Sequence, residues 1–207
     1  MELEMPTPDP APSVAVKKKI LAAAAPIAAE HGWTDRVFDD ACTACGVSRD
    51  EIAYALPDGV TSLVAAWFEI SRDKLKNALK DEPLAEMRIR EKVTRGVELW
   101  LEGYSEHPGA AMKALDWICV RPLSVMSSPH MIWEIADTVW TGIGDTSTGF
   151  TYASKRTTLT AVLASTLAVW RKAPDDREGW KAFLDRRIED VMAFEKFKAG
   201  IKVPRFA

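Results

Sequence analysis

The histidines and acids of this 207-residue chain offer few combinations that could carry out chemistry. His31, His107 and His130 stand in unrelated contexts, and no Glu lies three residues before any of them. That excludes the Glu-x-x-His ligand pairs from which helical di-iron sites are built. Asp145-x-Ser147 could be taken together with His130 as the remnant of a hydrolase site, but a capped helix start is the better interpretation.

Two further short motifs point away from metal and nucleotide chemistry. Cys42-x-x-Cys45 has no second pair of ligands, so we predict two small helix residues in a reducing compartment rather than a zinc site. Gly142-x-Gly144 is too short for the dinucleotide fingerprint and follows no predicted strand. The sequence therefore predicts a protein that is not an enzyme and that uses no cofactor and no metal.

Charge is distributed unevenly along a chain whose formal net charge is −3. Residues 30–62 contain seven acids and two arginines, whereas residues 195–207 contain four basic residues and one acid. A nucleic-acid-binding surface needs clustered Lys and Arg, and phosphates would repel the acidic stretch. The charge pattern argues against nucleic acid as a partner.

Apolar residues recur at the helical period through most of the chain, and no segment shows the sustained alternation of a strand. Gly32, Gly46 and the Pro57-Asp-Gly59 break separate the first helical segments from one another. The sequence predicts an all-α protein, with helices over residues 16–30, 37–45, 49–56, from about 61, 85–104, 110–120, 130–142, 155–170 and 178–199.

Residues 16–70 resemble the N-terminal helix-turn-helix of tetracycline-repressor-type regulators. The match consists of a helix, a short helix, the turn Gly46-Val-Ser48 and a second short helix. The resemblance implies a tetracycline-repressor-like fold, with a helix-turn-helix remnant before a larger helical domain for ligand binding and dimerisation. In such regulators the second short helix enters the major groove, but here residues 48–54 carry two acids and one Arg. A ligand-responsive transcription repressor is therefore the alternative function.

A second resemblance rests on the stretch from Asp137 to Arg156 and on the helices that follow it. The positions that carry the match are Gly144, Asp145, Thr146, Ser147, Thr148, Phe150, Lys155, Arg156, Leu159, Trp180, Phe183, Leu184, Arg187 and Ile188. This block resembles the C-terminal signature of the ubiquinone-biosynthesis accessory family, the lipid-binding proteins counted ninth in the mitochondrial coenzyme Q series. The resemblance implies a non-enzymatic protein that presents a polyprenylated quinone precursor to a membrane-associated hydroxylase.

The same resemblance implies a partner-binding surface at Phe150, Tyr152, Lys155 and Arg156. The sequence departs from the family's pattern with Gly149 for Asp, Thr151 for Asn, Tyr152 for Trp or Phe, Ala153 for Tyr and Ser154 for Thr. In the mitochondrial proteins, the Asp, Trp and Tyr at these positions belong to the surface that engages the hydroxylase. The departures leave the lipid-binding role in place, but they do not say which hydroxylase or which lipid this chain binds.

We predict a lipid-binding site on three consecutive helices and their connections, where repressor relatives keep their ligand pocket. Aromatic rings and flexible Met side chains suit an irregular hydrocarbon tail. The alternative is that these residues pack together as a closed core. The predicted lipid-binding residues are Trp100, Tyr104, Trp117, Leu123, Met126, Met131, Ile135 and Trp140.

The predicted organisation is a disordered leader over residues 1–13, a helix-turn-helix-like subdomain over 14–62, a lipid-binding and dimerisation domain over 63–190 and a basic amphipathic tail over 191–207. Apolar residues on several faces of segments 155–170 and 178–194 predict a homodimer.

An apolar stripe with flanking lysines in the tail predicts peripheral contact with an anionic membrane, with packing on the protein body as the alternative. The residues of this predicted contact are Phe194, Phe197, Lys198, Ile201 and Lys202. Because the sequence shows no targeting peptide and no apolar run long enough to span a bilayer, we expect a cytoplasmic protein at the inner face of the bacterial plasma membrane.

Overall fold

The structure, a computed structural model, describes residues 12–121 and 128–200. Every regular element within these ranges is helical, which confirms the predicted all-α class. The helices are α1 (Pro12–His31), α2 (Asp35–Cys45), α3 (Arg49–Ala55), α4 (Val60–Asp81), α5 (Ile89–Glu102), α6 (Pro108–Cys119), α7 (Ser128–Gly142), α8 (Gly149–Trp170) and α9 (Arg177–Gly200), with a 3-10 turn at Leu84–Glu86.

The contacts between residues divide the chain into two compact units. The first unit comprises the chain up to Ile70 together with His107–Arg121, and the second comprises Ser71–Glu106 together with the chain from Pro122 onward. α6 therefore belongs with the N-terminal helices, although it follows α5 in sequence. We call the first of these units unit 1 and the second unit 2.

Unit 1 has the local features of a helix-turn-helix. Thr34 caps α2 by accepting a hydrogen bond from the Val37 amide, and α2 ends at Gly46, whose φ of 59° is open to glycine. Ser48 and Glu51 then form a reciprocal capping box at the start of α3. In the core of this unit the Trp33 Nε1 donates to the Ala110 carbonyl at 3.0 Å, which holds α6 against the chain after α1.

Unit 2 is built on close approaches between helices. A Cβ added to Gly96 of α5 would lie 2.7 Å from the Val139 Cγ1 of α7, and one added to Gly142 would lie 2.6 Å from the Leu79 Cδ1 of α4. α8 packs along both α7 and α9. Gly96 and Gly142 allow α7 to pack closely against α5 and α4. This packing fixes the end of α7, where the turn to α8 begins.

Three predicted helix starts are wrong. The first helix, predicted from residue 16, begins at Pro12, inside the range predicted as a disordered leader. The helix predicted from Ala85 is a 3-10 turn followed by a new start, because Arg88 has an extended backbone and its N–H donates to the Glu91 Oε2 at 2.8 Å. The helix predicted from Lys155 begins six residues earlier, at Gly149, after Thr148 in an extended N-cap conformation. The loop between α7 and α8 is accordingly shorter than its Gly, Ser and Thr content indicated.

Candidate functional site

Unit 2 contains an apolar cavity of about 530 Å³, which falls within the range of roughly 300–1,000 Å³ of small-molecule sites. It opens along α8 and is termed the α8 groove below. Its lining consists of Ile89, Arg90 and Val93 from α5, Trp140 from α7, Phe150, Thr151, Ser154, Lys155, Thr158, Leu159 and Val162 from α8, and Ile188, Val191 and Met192 from α9.

The α8 groove has an open mouth and a buried inner end. At the mouth the apolar side chains of Phe150, Ile89 and Met192 are 88%, 59% and 50% exposed. At the inner end Leu159 and Val162 of α8 are buried, as are Val93 of α5 and Ile188 of α9. α5 and α8 therefore run from the mouth inward, and α9 runs outward. Thr151, Ser154 and the two cations of the lining belong to the mouth half, and Thr158 lies where the interior begins, so the groove has a polar entrance and an apolar interior.

A cluster of ion pairs fixes the turn between α7 and α8, which leads into the part of α8 at the groove mouth. Asp145, whose side chain is only 6% exposed, accepts from the Lys155 Nζ at 2.5 Å and from the Arg156 Nη1 at 3.1 Å. The Ser147 hydroxyl donates to the same carboxylate at 2.5 Å. The sequence position of Asp145 indicated a cap at the helix start. Instead, Asp145 binds side chains in the second turn of α8.

Arg156 joins this cluster to α7. Its guanidinium is 2% exposed, donates from Nε to the Asp137 Oδ1 at 2.6 Å, and lies 3.5 Å from the centre of the Tyr152 ring. The Tyr152 hydroxyl donates to the same Asp137 oxygen at 2.9 Å. Lys155 lies 4.9 Å from the centre of the Trp140 ring, and the Trp140 Nε1 donates to the Lys155 carbonyl at 3.2 Å. The matched signature is thus a polar clip that positions the first two turns of α8.

Charge pairing keeps Asp145 and Arg156 of this clip ionised. Burial by itself would raise the pKa of Asp145, but hydrogen bonds from Lys155, Ser147 and Arg156 hold that pKa well below its ordinary value. For Arg156, burial would lower the pKa, and the carboxylates of Asp137 and Asp145 raise it instead. The clip therefore persists as an ion-pair network at neutral pH.

We expect acid to reduce the stability of the protein partly through Asp145. The pKa of this carboxyl is lower in the folded chain than its ordinary 3.8, so its contribution to stability is complete above about pH 5 and is lost as the pH falls through 3.8 toward the folded-state pKa. Urea unfolding of the protein and of Asp145→Asn between about pH 6 and pH 3 tests this. The stability gap should be widest at pH 6 and narrower at pH 3; an equal gap at both would contradict the assignment.

The predicted lipid-binding residues occupy different environments. Trp100 and Tyr104 are buried in the core of unit 2, where the Trp100 Nε1 donates to the Tyr104 hydroxyl at 3.2 Å and burial raises the pKa of Tyr104 to about 12. Met131 and Ile135 are also buried in unit 2, and Trp117 is buried in unit 1. Trp140 lines the α8 groove. Leu123 and Met126 lie outside the described residues.

The predicted partner-binding residues all lie on the first two turns of α8. Phe150 is exposed at the groove mouth, and Lys155 is half-buried there. Tyr152 and Arg156 belong to the clip. Of the predicted membrane contacts, Phe194 is exposed on α9. The side chains of Phe197 and Lys198, and residues Ile201 and Lys202, lie outside what the structure describes.

Sequence reasoning missed most of the α8 groove. Ile89 and Met192 were not singled out, and Val93 and Val162 were taken only as parts of predicted helices. Ile188 was identified as a position of the family signature and not as part of a lipid site. The periodicity of α8 identified its apolar residues but not which of them face a cavity. In the described ranges, no group of three or more His, Cys, Asp or Glu side chains could hold a metal ion. No helix there is long and apolar enough to cross a membrane.

An N-terminal helix-turn-helix unit and a larger helical unit with a ligand-sized groove define the tetracycline-repressor-like class of fold. A solved structure agrees: the TetR transcriptional regulator from Nitrosomonas europaea has a TM-score of 0.65 and 16% identity, over 84% of this chain and 96% of that one. The predicted fold is thereby confirmed, and at this identity the likeness concerns the fold alone.

Within that class the chain is similar to the COQ9 family, whose model matches residues 125–195. The mitochondrial ubiquinone biosynthesis protein COQ9 of Rattus norvegicus is 27% identical over 86% of this chain and 59% of its own length. For the Homo sapiens protein the values are 27%, 86% and 58%, and for the probable Dictyostelium discoideum protein 25%, 90% and 63%. The chain thus spans about three fifths of the curated relatives it matches, and the resemblance indicated by the signature is confirmed.

Proposed function

We propose that this chain is a non-enzymatic, lipid-binding accessory protein of ubiquinone biosynthesis. It holds a polyprenylated quinone precursor and presents the ring of that precursor to a membrane-associated hydroxylase. The observation that carries the proposal is the α8 groove, with its apolar interior and its polar mouth. The names of the relatives, ubiquinone biosynthesis proteins, supply the pathway.

The groove suits an isoprenoid because its interior offers burial without polar demands. Leu159, Val162 and Ile188 surround the inner end, and each five-carbon isoprene unit transferred from water gains roughly 3–4 kcal/mol before the costs of association. A cavity of this size accommodates a ring and part of a polyprenyl chain, rather than a whole long tail. The protein would therefore grip the precursor near its ring.

The mouth of the groove is where we propose the hydroxylase to dock. Phe150 is its most exposed large apolar side chain, and such a residue at the rim of a ligand site is a natural anchor for a partner. Lys155 stands beside it. Arg156 is buried, so its part is to position this rim through Asp137 and Asp145 rather than to touch the partner. Peripheral contact of α9 with an anionic membrane, through Phe194, and a homodimer formed by α8 and α9 complete the proposal.

Extraction of lipid from the purified protein tests the proposal. Native mass spectrometry of the full chain, followed by solvent extraction, should find an isoprenoid bound at no more than one per protomer, and the bound mass should be lost after delipidation. A gel shift at low salt with genomic fragments tests the alternative in parallel. Exposed Asp50 and Glu51 on α3 predict no specific retardation. Specific retardation together with a lipid-free protein would favour the repressor instead.

A further inference from the structure

Two of the three hydroxyls that line the α8 groove are half-buried and have no role in holding the helix together; the third, Thr151, is exposed at the mouth. Some other hydroxyl residues of α8 bond back to the preceding turn: Thr160 donates to the Arg156 carbonyl at 2.8 Å, and Thr166 to the Val162 carbonyl at 2.8 Å. The exposed Thr157, outside the groove, makes no side-chain hydrogen bond within the described residues. Within the described residues, Ser154 and Thr158 make no side-chain hydrogen bond, although both line the groove and both are half-buried. Both side chains line the cavity, and no described protein group competes with a ligand for their hydroxyls.

The positions of these hydroxyls match one end of an amphipathic ligand. Ser154 and Thr158 are one helical turn apart, so their side chains are neighbours on the same face of α8. Val162 lies one turn further, and the distance along the helix from Ser154 to Val162 is about 12 Å. The polar pair is thus toward the mouth, and the apolar interior begins directly beyond it.

The cations of the mouth are already paired. The Lys155 Nζ lies 2.5 Å from the Asp145 Oδ1, and the Arg90 Nη2 lies 2.9 Å from the Glu189 Oε1. An anionic head, such as a phosphate or a carboxylate, would have to compete with these two carboxylates for the same donors. A neutral head with a hydroxyl or a carbonyl needs only the hydrogen bonds that Ser154 and Thr158 can supply.

We propose that Ser154 and Thr158 are the head-binding residues of the α8 groove, and that they select a neutral, hydrogen-bonding head over an anionic one. This inference rests on the proposed function and assigns its ligand an orientation. The oxygen-bearing ring lies at Ser154 and Thr158, and the first isoprene units extend toward Leu159 and Val162. The ring is then next to Phe150, at the exposed end of the groove where a partner could reach it.

Three probes with the same tail and different heads test the selection: a farnesylated phenol, farnesylbenzene and farnesyl diphosphate. Calorimetric titration of the full chain should give the tightest binding for the phenol, with farnesylbenzene weaker by about tenfold. The diphosphate should also bind more weakly than the phenol at low salt, where an unpaired cation would favour it. Equal binding of phenol and farnesylbenzene, or tighter binding of the diphosphate, would overturn the proposal.

The double variant Ser154→Ala with Thr158→Val should bind the phenol and farnesylbenzene within about twofold of each other. Thr157→Val is the matched control, because Thr157 is exposed beside Thr158 and is not part of the lining. If the double variant keeps the full preference for the phenol, these hydroxyls do not bind the head. Failure of the proposed function looks different. In that case Val162→Trp, which fills the groove interior, would bind each of the three probes as tightly as the parent protein does.

Discussion

Replacement of Asp145 by Asn is expected to lower the free energy of unfolding by about 3 kcal/mol, because removing one partner of a buried ion pair leaves the other charge uncompensated. Arg156 is 2% exposed and would keep only Asp137 as a charged partner, while Lys155 would lose its close contact at 2.5 Å. For a chain of this size the melting temperature should fall by roughly 6–12 °C. Thermal unfolding followed by circular dichroism measures the effect.

The matched control is Asp40→Asn, which makes the same chemical change in an exposed pair. Asp40 and Arg36 are 57% and 91% exposed and are separated by 3.8 Å on the surface of α2. Exposed pairs of this kind contribute little to stability. Similar melting temperatures for the two variants would mean that the clip contributes no more than a surface ion pair, and the account of the signature would be wrong.

Filling the interior of the α8 groove is expected to abolish isoprenoid binding. Val162→Trp would occupy the space of at least one isoprene unit, and the loss of roughly 3–4 kcal/mol of apolar burial corresponds to a fall in affinity of about a hundredfold or more. The added ring enters a cavity rather than a packed core, so the cost in stability should be below the roughly 1–3 kcal/mol of overpacking. Titration with the farnesylated phenol and a thermal melt give both quantities.

Ala85→Trp is the control for this substitution. Ala85 lies in the 3-10 turn before α5, is exposed, does not line the groove and is on neither helix of the proposed dimer, so the same side chain there should leave affinity unchanged. A Val162→Trp protein that remains folded and binds as tightly as the parent would place the lipid elsewhere. A large drop in melting temperature would instead indicate that the space around Val162 is closed on itself.

Local rules predicted most of the helices but not the two starts that matter for the site. Gly46 and Ser48 are end and start signals that act within a few residues, and they gave the helix-turn-helix correctly. Gly149 obscured the start of α8, because a glycine that follows a Ser- and Thr-rich run is typical of a loop. In the structure Gly149 has a φ of 58° and is the first residue of the helix. Phe150 and Tyr152 therefore appeared to be loop residues, whereas they occupy the first turn of a helix.

The candidate site depended on tertiary structure to a greater degree. Met192 and Ile89 are far apart in sequence, and only the packing of α5, α8 and α9 brings them to one mouth. The resemblance identified Asp145 as a matching position and implied a partner-binding role for Arg156, but it did not indicate that the two side chains bind each other. Their contact crosses a turn between two helices, so no helical period or short motif encodes it. Trp140 was the one described lipid-binding prediction that lies in the lining, and the other tryptophans could not be assigned to core or cavity from sequence.

Photo-crosslinking tests the central claim, that the α8 groove holds the lipid, most directly. A farnesylated phenol with a diazirine in its tail would be irradiated with the full chain, and the labelled peptides would be mapped by mass spectrometry. The account predicts labelling of residues 157–171, which contain Leu159 and Val162, and of residues 188–196, which contain Ile188 and Met192, with loss of label when excess unlabelled phenol is present. Labelling confined to the segment around Trp117, or labelling that the unlabelled phenol does not displace, would contradict it.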